Sequence, residues 1–191
     1  MSNTEKVLAL TLAVGFTLVG AVHLQRGQAD QSGAPPTSST LVPGERYAGE
    51  VVAVVLVSST CAACQLIEKG YVDSLRAALA SRATAAGREL AVVGVAIDHA
   101  WDEGISFLED LGAFDEVVSG RSWLNAGAEA YMHRHVPGPL SVPQILVFTR
   151  DVEWSGGALL FDDSQVVARV LGIDGLWDWR DEDFRLRVSL E

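Results

Sequence analysis

The chain has 191 residues, of which 49% are hydrophobic, and its formal net charge at pH 7 is −11. This acidic balance leaves no basic patch to meet phosphate groups, so it argues against nucleic-acid binding. The two cysteines are too few for a framework of several disulfides, and a single pair fits an exported protein in an oxidising compartment.

An uncharged apolar segment lies close to the N-terminus. Residues 7–24 contain no Asp, Glu, Lys or Arg, and as a helix they would extend about 27 Å, enough to cross the hydrocarbon core of a bilayer. The segment predicts a transmembrane signal anchor that follows an N-terminal tail, residues 1–6. A cleaved secretory signal, with a cleavage site near residues 19–21, is the alternative.

Small side chains recur every four residues within this segment, at Ala9, Ala13, Thr17 and Ala21. They would form one stripe of the predicted helix, along which a partner membrane helix could approach closely. Small residues in an ordinary lipid-facing helix would give the same pattern. The acidic composition of the remaining chain predicts a single-pass protein with its globular part on the exported, periplasmic side.

The segment after the anchor, residues 25–42, is rich in Gly, Ser, Thr, Pro and Gln. It has too little apolar content to pack, and it predicts a flexible tether. Residues 43–191 then have a length that suits one domain with a single core.

Alternating strand and helix patterns run through this domain. Residues 50–57 form a continuous β-branched run, which predicts a central strand buried on both faces. A helix is predicted from Cys64 to near Gly87. The remaining predicted elements are a strand at 90–97, a short helix ending at 111, a strand at 116–119, a helix at 123–135, strands at 141–148 and 165–171, and a helix at 175–190. This order predicts an α/β domain with helices on both faces of a sheet.

The cysteines have the spacing C-x-x-C, and they lie between a predicted strand and a predicted helix. Cys61 and Cys64 in this setting predict a redox-active dithiol, whose sulfurs could meet across one helical turn. A helix start would favour the thiolate through its free N–H groups and its dipole. Zinc sites commonly need a second C-x-x-C or a paired histidine motif, which the sequence lacks. No metal or cofactor is therefore predicted apart from a Cys61–Cys64 disulfide, which could also be purely structural.

These motifs, together with Val142-Pro143 at the start of a later strand, resemble those of the thioredoxin-like superfamily. The resemblance is nearest to its membrane-anchored, exported branch of the TlpA and ResA kind. It implies a central mixed sheet flanked by helices and a thiol–disulfide oxidoreductase, with Cys61 as the nucleophile and Cys64 as the resolving thiol. It also implies a cis Pro143 against the cysteines, with Val142 offering backbone groups to a substrate.

The sequence departs from the family pattern around the cysteines. Thr60, also predicted to contact substrate, stands where the family usually has an aromatic residue, and Ala62-Ala63 replaces a dipeptide that often contains proline. Val55 and Ile67 occupy the positions at which family members carry a proton-accepting acid. No proton acceptor for the thiols is therefore visible in the sequence.

Two functions follow from these patterns. The first is a membrane-anchored enzyme that exchanges thiols and disulfides with exported client proteins. The second is a non-catalytic subunit of a larger membrane complex, such as a respiratory or photosynthetic electron-transfer assembly, in which the domain serves as a docking module. Both predict protein partners and attachment to the membrane.

Overall fold

The computed structural model describes residues 46–136, 140–155, 158–186, 188 and 190. The predicted tail, anchor and tether lie outside these residues, as does the stripe of Ala9, Ala13, Thr17 and Ala21, so these stay predictions. Within the described residues, no helix has both the length and the apolar character needed to cross a bilayer.

The described residues form a succession of strands and helices. In chain order these are β1 (Arg46–Val57), a 3-10 turn (Cys64–Leu66), α1 (Tyr71–Ala85), β2 (Glu89–Ala96), α2 (Trp101–Leu111), β3 (Glu116–Ser119), a second 3-10 turn (Ser122–Leu124), a π-helix (Ala128–His133), β4 (Gln144–Ser155), β5 (Ala158–Leu171) and α3 (Gly172–Asp181).

The strands form one mixed sheet with the order β3-β2-β1-β4-β5. β1, β2 and β3 are parallel, whereas β4 runs antiparallel to β1 and β5 antiparallel to β4. The chain thus passes through a β-α-β unit and ends in an antiparallel strand pair followed by a helix. This confirms the predicted α/β class and the mixed sheet of a thioredoxin-like fold.

The strand β1 lies at the centre of the core, as its continuous apolar run predicts. Residues 51–57 are almost fully buried, and their side chains alternate between the two faces of the sheet. Val51, Val55 and Val57 join a cluster with residues of α1, α2 and α3. Val52 and Val54 join a second cluster with residues of the π-helix. Helical segments therefore cover both faces.

The helix after the cysteines begins later than predicted. Cys64 lies in the first 3-10 turn, Ile67 is extended with φ −70° and ψ 125°, and Gly70 is left-handed with φ 77°. A left-handed residue is compatible with glycine, so the chain turns here, and α1 starts at Tyr71. Ile67 still reaches the core from this loop, which explains the helix-like spacing. The prediction that a helix dipole acts on the cysteines is wrong.

The predicted helix at 123–135 is also interrupted. The Asn125 side chain accepts a hydrogen bond from the Ala128 N–H at 2.6 Å and donates one to the Ala96 carbonyl at 3.0 Å. Such bonds between a side chain and the backbone compete with regular helix. The segment accordingly divides into the second 3-10 turn and the π-helix.

The last helix is shorter than the predicted range of 175–190, because it ends at Asp181. Asp183 and Phe184 adopt positive φ angles of 54° and 52°, which turn the chain back toward the core. Phe184 is buried there, in edge-to-face contact with Tyr71 and Trp179. The aromatic cluster fixes the end of α3 against α1.

Candidate active site

The cysteine motif lies at the edge of the sheet where the parallel strands end. Val57 at the end of β1 pairs with Ala96 at the end of β2. The segments after these two strands therefore lie side by side. Because β4 is antiparallel to β1, its first residue, Gln144, is also at this edge, where it pairs with Leu56.

The structure brings Cys61 together with the predicted substrate-binding residues before β4. The Cys61 thiol donates a hydrogen bond to the Val142 carbonyl, with 3.6 Å between Sγ and O. The peptide bond between Val142 and Pro143 is cis. The predicted cis state of Pro143 and its place beside the cysteines are confirmed.

The predicted contact residue Thr60 is exposed, and it is bonded within its own segment. Its hydroxyl lies 3.0 Å from the Ser58 hydroxyl, and its N–H donates to the same Ser58 oxygen at 3.3 Å. The side chain therefore lies next to Cys61 along the chain while being held by Ser58. Its contact with a substrate stays a prediction.

The two thiols differ sharply in their surroundings. Both are free, with Cys61 half-buried and Cys64 fully buried. The Cys64 N–H donates a hydrogen bond to the Cys61 sulfur at 3.3 Å. Burial raises the pKa of Cys64 to about 12, with further increases from the hydrogen bond to the Cys61 side chain and from the charges of Cys61 and Asp98. Cys61 is thus the accessible thiol, as expected for a nucleophile.

Asp98 is an acidic residue of this site that the sequence pattern places only in a turn. Its side chain is 3% exposed. It accepts hydrogen bonds from the Ser59 N–H at 3.0 and 3.2 Å, from the Ser58 hydroxyl at 3.3 Å and from the Ser59 hydroxyl. One sequence signal could have pointed to Asp98. It is an acid that directly follows a buried strand, and that strand is predicted to be parallel to the strand before the C-x-x-C motif.

Exposed apolar side chains occur on the segments that follow the three parallel strands: Leu66 and Leu124 lie in the two 3-10 turns, and Trp101 is the first residue of α2. Leu66 follows β1 and is 54% exposed, Trp101 follows β2 and is 65% exposed, and Leu124 follows β3 and is 78% exposed. All three segments follow the ends of parallel strands, at the sheet edge that carries the cysteines. Apolar residues in such positions are suited to contact another protein.

A groove of about 580 Å³ lies between β5 and α3, where Trp179 contributes to its lining. The cysteines are not part of it. Leu171 lines one end of this groove. The next residue, Gly172, donates its N–H to the Pro143 carbonyl at 2.9 Å, so this end of the groove lies near the segment that carries Pro143. Among the described residues, no three His, Cys, Asp or Glu side chains form a group that could hold a metal ion.

Comparisons with known proteins give one similar structure. No family model matches the chain, and no curated protein sequence matches it. The chain is similar to the crystal structure of the thioredoxin domain of a thiol-disulfide oxidoreductase from Bacteroides vulgatus. The identity is 14%, the TM-score is 0.40, and the similarity covers 78% of this chain and 98% of that one. The assignment of a thioredoxin-like fold rests instead on strand order, strand direction and the cysteine geometry. The TlpA and ResA branch stays a prediction.

Proposed function

We propose that this protein is a thiol–disulfide oxidoreductase that acts through Cys61 and Cys64 on exported client proteins. The observation that carries the proposal is the contact between the half-buried Cys61 sulfur and the Val142 carbonyl, with Cys64 buried behind it. A half-buried sulfur beside the backbone of the segment before β4 is placed to meet an extended client segment. A purely structural disulfide would need no such access.

The chemistry proceeds in two exchange steps. The Cys61 thiolate attacks one sulfur of a client disulfide, which forms a mixed disulfide and releases the other client sulfur as a thiolate. Cys64 then loses its proton and attacks the Cys61 sulfur, so the first client sulfur leaves as a second thiolate. The proton of Cys64 ends on a client thiolate. The client disulfide gains two electrons, and the Cys61–Cys64 pair loses two. The reverse sequence oxidises a client dithiol.

The exposed residues Leu66, Trp101 and Leu124 support binding of a client with apolar side chains, because burying each of them would remove apolar area from water. The sequence supports a single-pass anchor at residues 7–24, with this domain on the exported side. Partners are then proteins of the same compartment.

The test is trapping of clients by a Cys64→Ser variant in the native membrane. Without the resolving thiol, mixed disulfides through Cys61 should accumulate, and they should disappear on reduction. The matched control is Cys61→Ser, which keeps the buried thiol and should trap nothing. Equal adducts with both variants, or none with Cys64→Ser while a known oxidoreductase traps clients in parallel, would reject the proposal.

The alternative of a non-catalytic subunit rests on a different observation, the stripe of Ala9, Ala13, Thr17 and Ala21. Such a stripe favours close packing on a partner helix. In that case the wild-type protein should co-purify stoichiometrically with a membrane complex, and the Cys64→Ser variant should remain in that complex without trapping clients.

A further inference from the structure

The carbonyl oxygen of Val142 already accepts a hydrogen bond in the reduced protein. The Cys61 thiol is the donor, with 3.6 Å between Sγ and O. The family resemblance assigns backbone groups of the same Val142 to an extended client. The oxygen therefore has two candidate donors, the thiol of its own chain and an N–H of the client. Because the thiol loses its proton when the cysteines are oxidised, its hydrogen bond depends on the redox state of the pair.

The thiol and the client compete for the same side of the carbonyl. A carbonyl oxygen has two lone pairs, and the Cys61 thiol is bonded to the oxygen from the side on which its own sulfur lies. A client whose sulfur meets Cys61 has to approach from that side. Its backbone N–H then reaches the part of the oxygen that the thiol covers.

Both partners of this hydrogen bond are fixed by their surroundings. The Cys61 sulfur accepts the Cys64 N–H at 3.3 Å. Val142 packs against the apolar clusters on both faces of the sheet. The carbonyl of the next residue, Pro143, is bonded to the Gly172 N–H at 2.9 Å. Neither partner can turn away without losing other contacts, so we expect the sulfur to stay beside the carbonyl when its proton is lost.

We propose that the Cys61 thiol is a redox-dependent cap on the Val142 carbonyl: the reduced protein covers this acceptor, and the oxidised protein offers it to the backbone of a client. This inference rests on the proposed oxidoreductase function, and it adds a control on client binding at the same site. Oxidation by a disulfide forms the Cys61–Cys64 bond and breaks both S–H bonds. Two electrons and two protons pass to the disulfide that is reduced. The Cys61 sulfur is then no longer a donor.

The expected size of the effect follows from the strength of the hydrogen bond that is lost. A client that binds the reduced protein must displace the thiol from the carbonyl, whereas a client of the oxidised protein displaces only water. Hydrogen bonds in proteins are worth little net of water, and a thiol is a weak donor. We therefore expect the oxidised protein to bind a client segment about two- to threefold more tightly than the reduced protein.

The cap also favours one direction of exchange. Binding and redox equilibria are linked, so a bound client makes the cysteine pair harder to reduce by the same factor. The oxidised protein binds a client dithiol more tightly, and the reduced protein releases the product more readily. This order of binding suits the oxidation of client dithiols.

The experiment measures binding of a cysteine-free peptide by the full chain in detergent, at about pH 6, which favours protonated thiols. The probe is a peptide of alternating valine and serine, blocked at both ends. NMR signals of ¹³C-labelled valine carbonyls follow its binding to Val142. Wild-type protein is compared after reduction with dithiothreitol and after oxidation with glutathione disulfide, each removed before the titration. The oxidised form should bind the peptide about two- to threefold more tightly.

Two matched variants separate the thiol proton from the disulfide. Cys61→Ala removes the donor and Cys64→Ala keeps it, while neither variant can form the internal disulfide. Under reducing conditions Cys61→Ala should bind the peptide about two- to threefold more tightly than Cys64→Ala. The oxidised wild type keeps the Cys61 sulfur without its proton, so equal gains in it and in Cys61→Ala exclude a simple effect of side-chain size. If Cys64→Ala does not fold, the reduced wild type takes its place.

Equal affinities of the oxidised and reduced wild type would overturn the cap, and so would tighter binding by the reduced form. Absence of binding by either form would also overturn it, because Val142 would then hold no client backbone. The peptide has no cysteine, so the assay involves no exchange, and trapping by Cys64→Ser decides the oxidoreductase function separately. Trapped clients together with redox-independent peptide binding would leave that function standing without the cap.

Discussion

A buried glutamine beside the candidate site gives a stability prediction of definite sign. Gln144 is the first residue of β4 and is 0% exposed. Neither its side-chain nitrogen nor its side-chain oxygen has a hydrogen-bond partner among the described residues. By strand alternation it shares a face with Leu146 and Phe148, which belong to the apolar cluster against the π-helix. The Gln144 side chain is therefore on the face of β4 that carries this apolar cluster.

Replacement of Gln144 by methionine should stabilise the protein. Burial of an amide without hydrogen bonds costs about 1–3 kcal/mol, as judged from mutations in proteins. Methionine has a similar length and shape and no strong polar group, so it removes this cost with little change in packing. We expect the free energy of unfolding to rise by about 1–3 kcal/mol, with an increase in Tm of about 2–4 °C per kcal/mol for a chain of this size.

Thermal and urea unfolding of the full chain would measure this change. The control is Leu146→Met, a swap between apolar residues on the same face of the same strand, which should cost less than about 1.5 kcal/mol. A Gln144→Met variant that is no more stable than the wild type would refute the reasoning. It would mean that the Gln144 amide is hydrogen-bonded in solution, through water or through residues outside the described part.

Four further outcomes follow from the structure and the sequence. Alkylation of the reduced protein at pH 7–8 should label Cys61 first, because Cys64 is buried and its pKa is raised to about 12; faster labelling of Cys64 would contradict this. The stability of the reduced protein should fall as the pH rises from 9 toward 12, since the unfolded chain then releases the Cys64 proton before the folded chain does. Cys64→Ala should flatten this fall in urea unfolding. Leu79→Ala should cost about 2–5 kcal/mol, because Leu79 is fully buried; a loss below 1 kcal/mol, on the order of a surface substitution, would contradict that packing. Ala13→Leu should release the protein from a heavy membrane complex if it is a subunit and change nothing if it diffuses freely, as sedimentation after detergent extraction would show.

The fold could be predicted where a whole element is buried, because burial then determines the residue type at every position. The β-branched run at 51–57 is central because a strand covered on both faces excludes polar residues throughout. The start of α1 could not be predicted from apolar spacing alone. Ile67 enters the core from a loop, and its distance from Tyr71 imitates one helical turn. Gly70 was the local signal for a break, since its left-handed φ of 77° suits glycine.

The cysteines and the proline of this site could be predicted from the sequence, whereas its buried acid could not. Cys61, Cys64 and Pro143 could be found because each has a local motif. Asp98 has none, since it is separated from Cys61 by α1 and β2 and meets its segment only through strand pairing. The family pattern places an acid at the positions of Val55 and Ile67, which are both buried in the apolar core. Asp98, which reaches this site from the end of β2, occupies neither position.

The two thiols differ in accessibility because Cys64 is buried more deeply than Cys61, and not because a helix dipole acts on one of them. The 3-10 turn at Cys64 supplies one N–H, donated to the Cys61 sulfur at 3.3 Å, whereas α1 begins only at Tyr71. Helix-dipole effects fall off within about the first turn, so α1 acts weakly on Cys61. Burial of Cys64 and the charge of Asp98 both oppose a second thiolate. The pair therefore presents one accessible sulfur, that of Cys61, and one buried sulfur, that of Cys64.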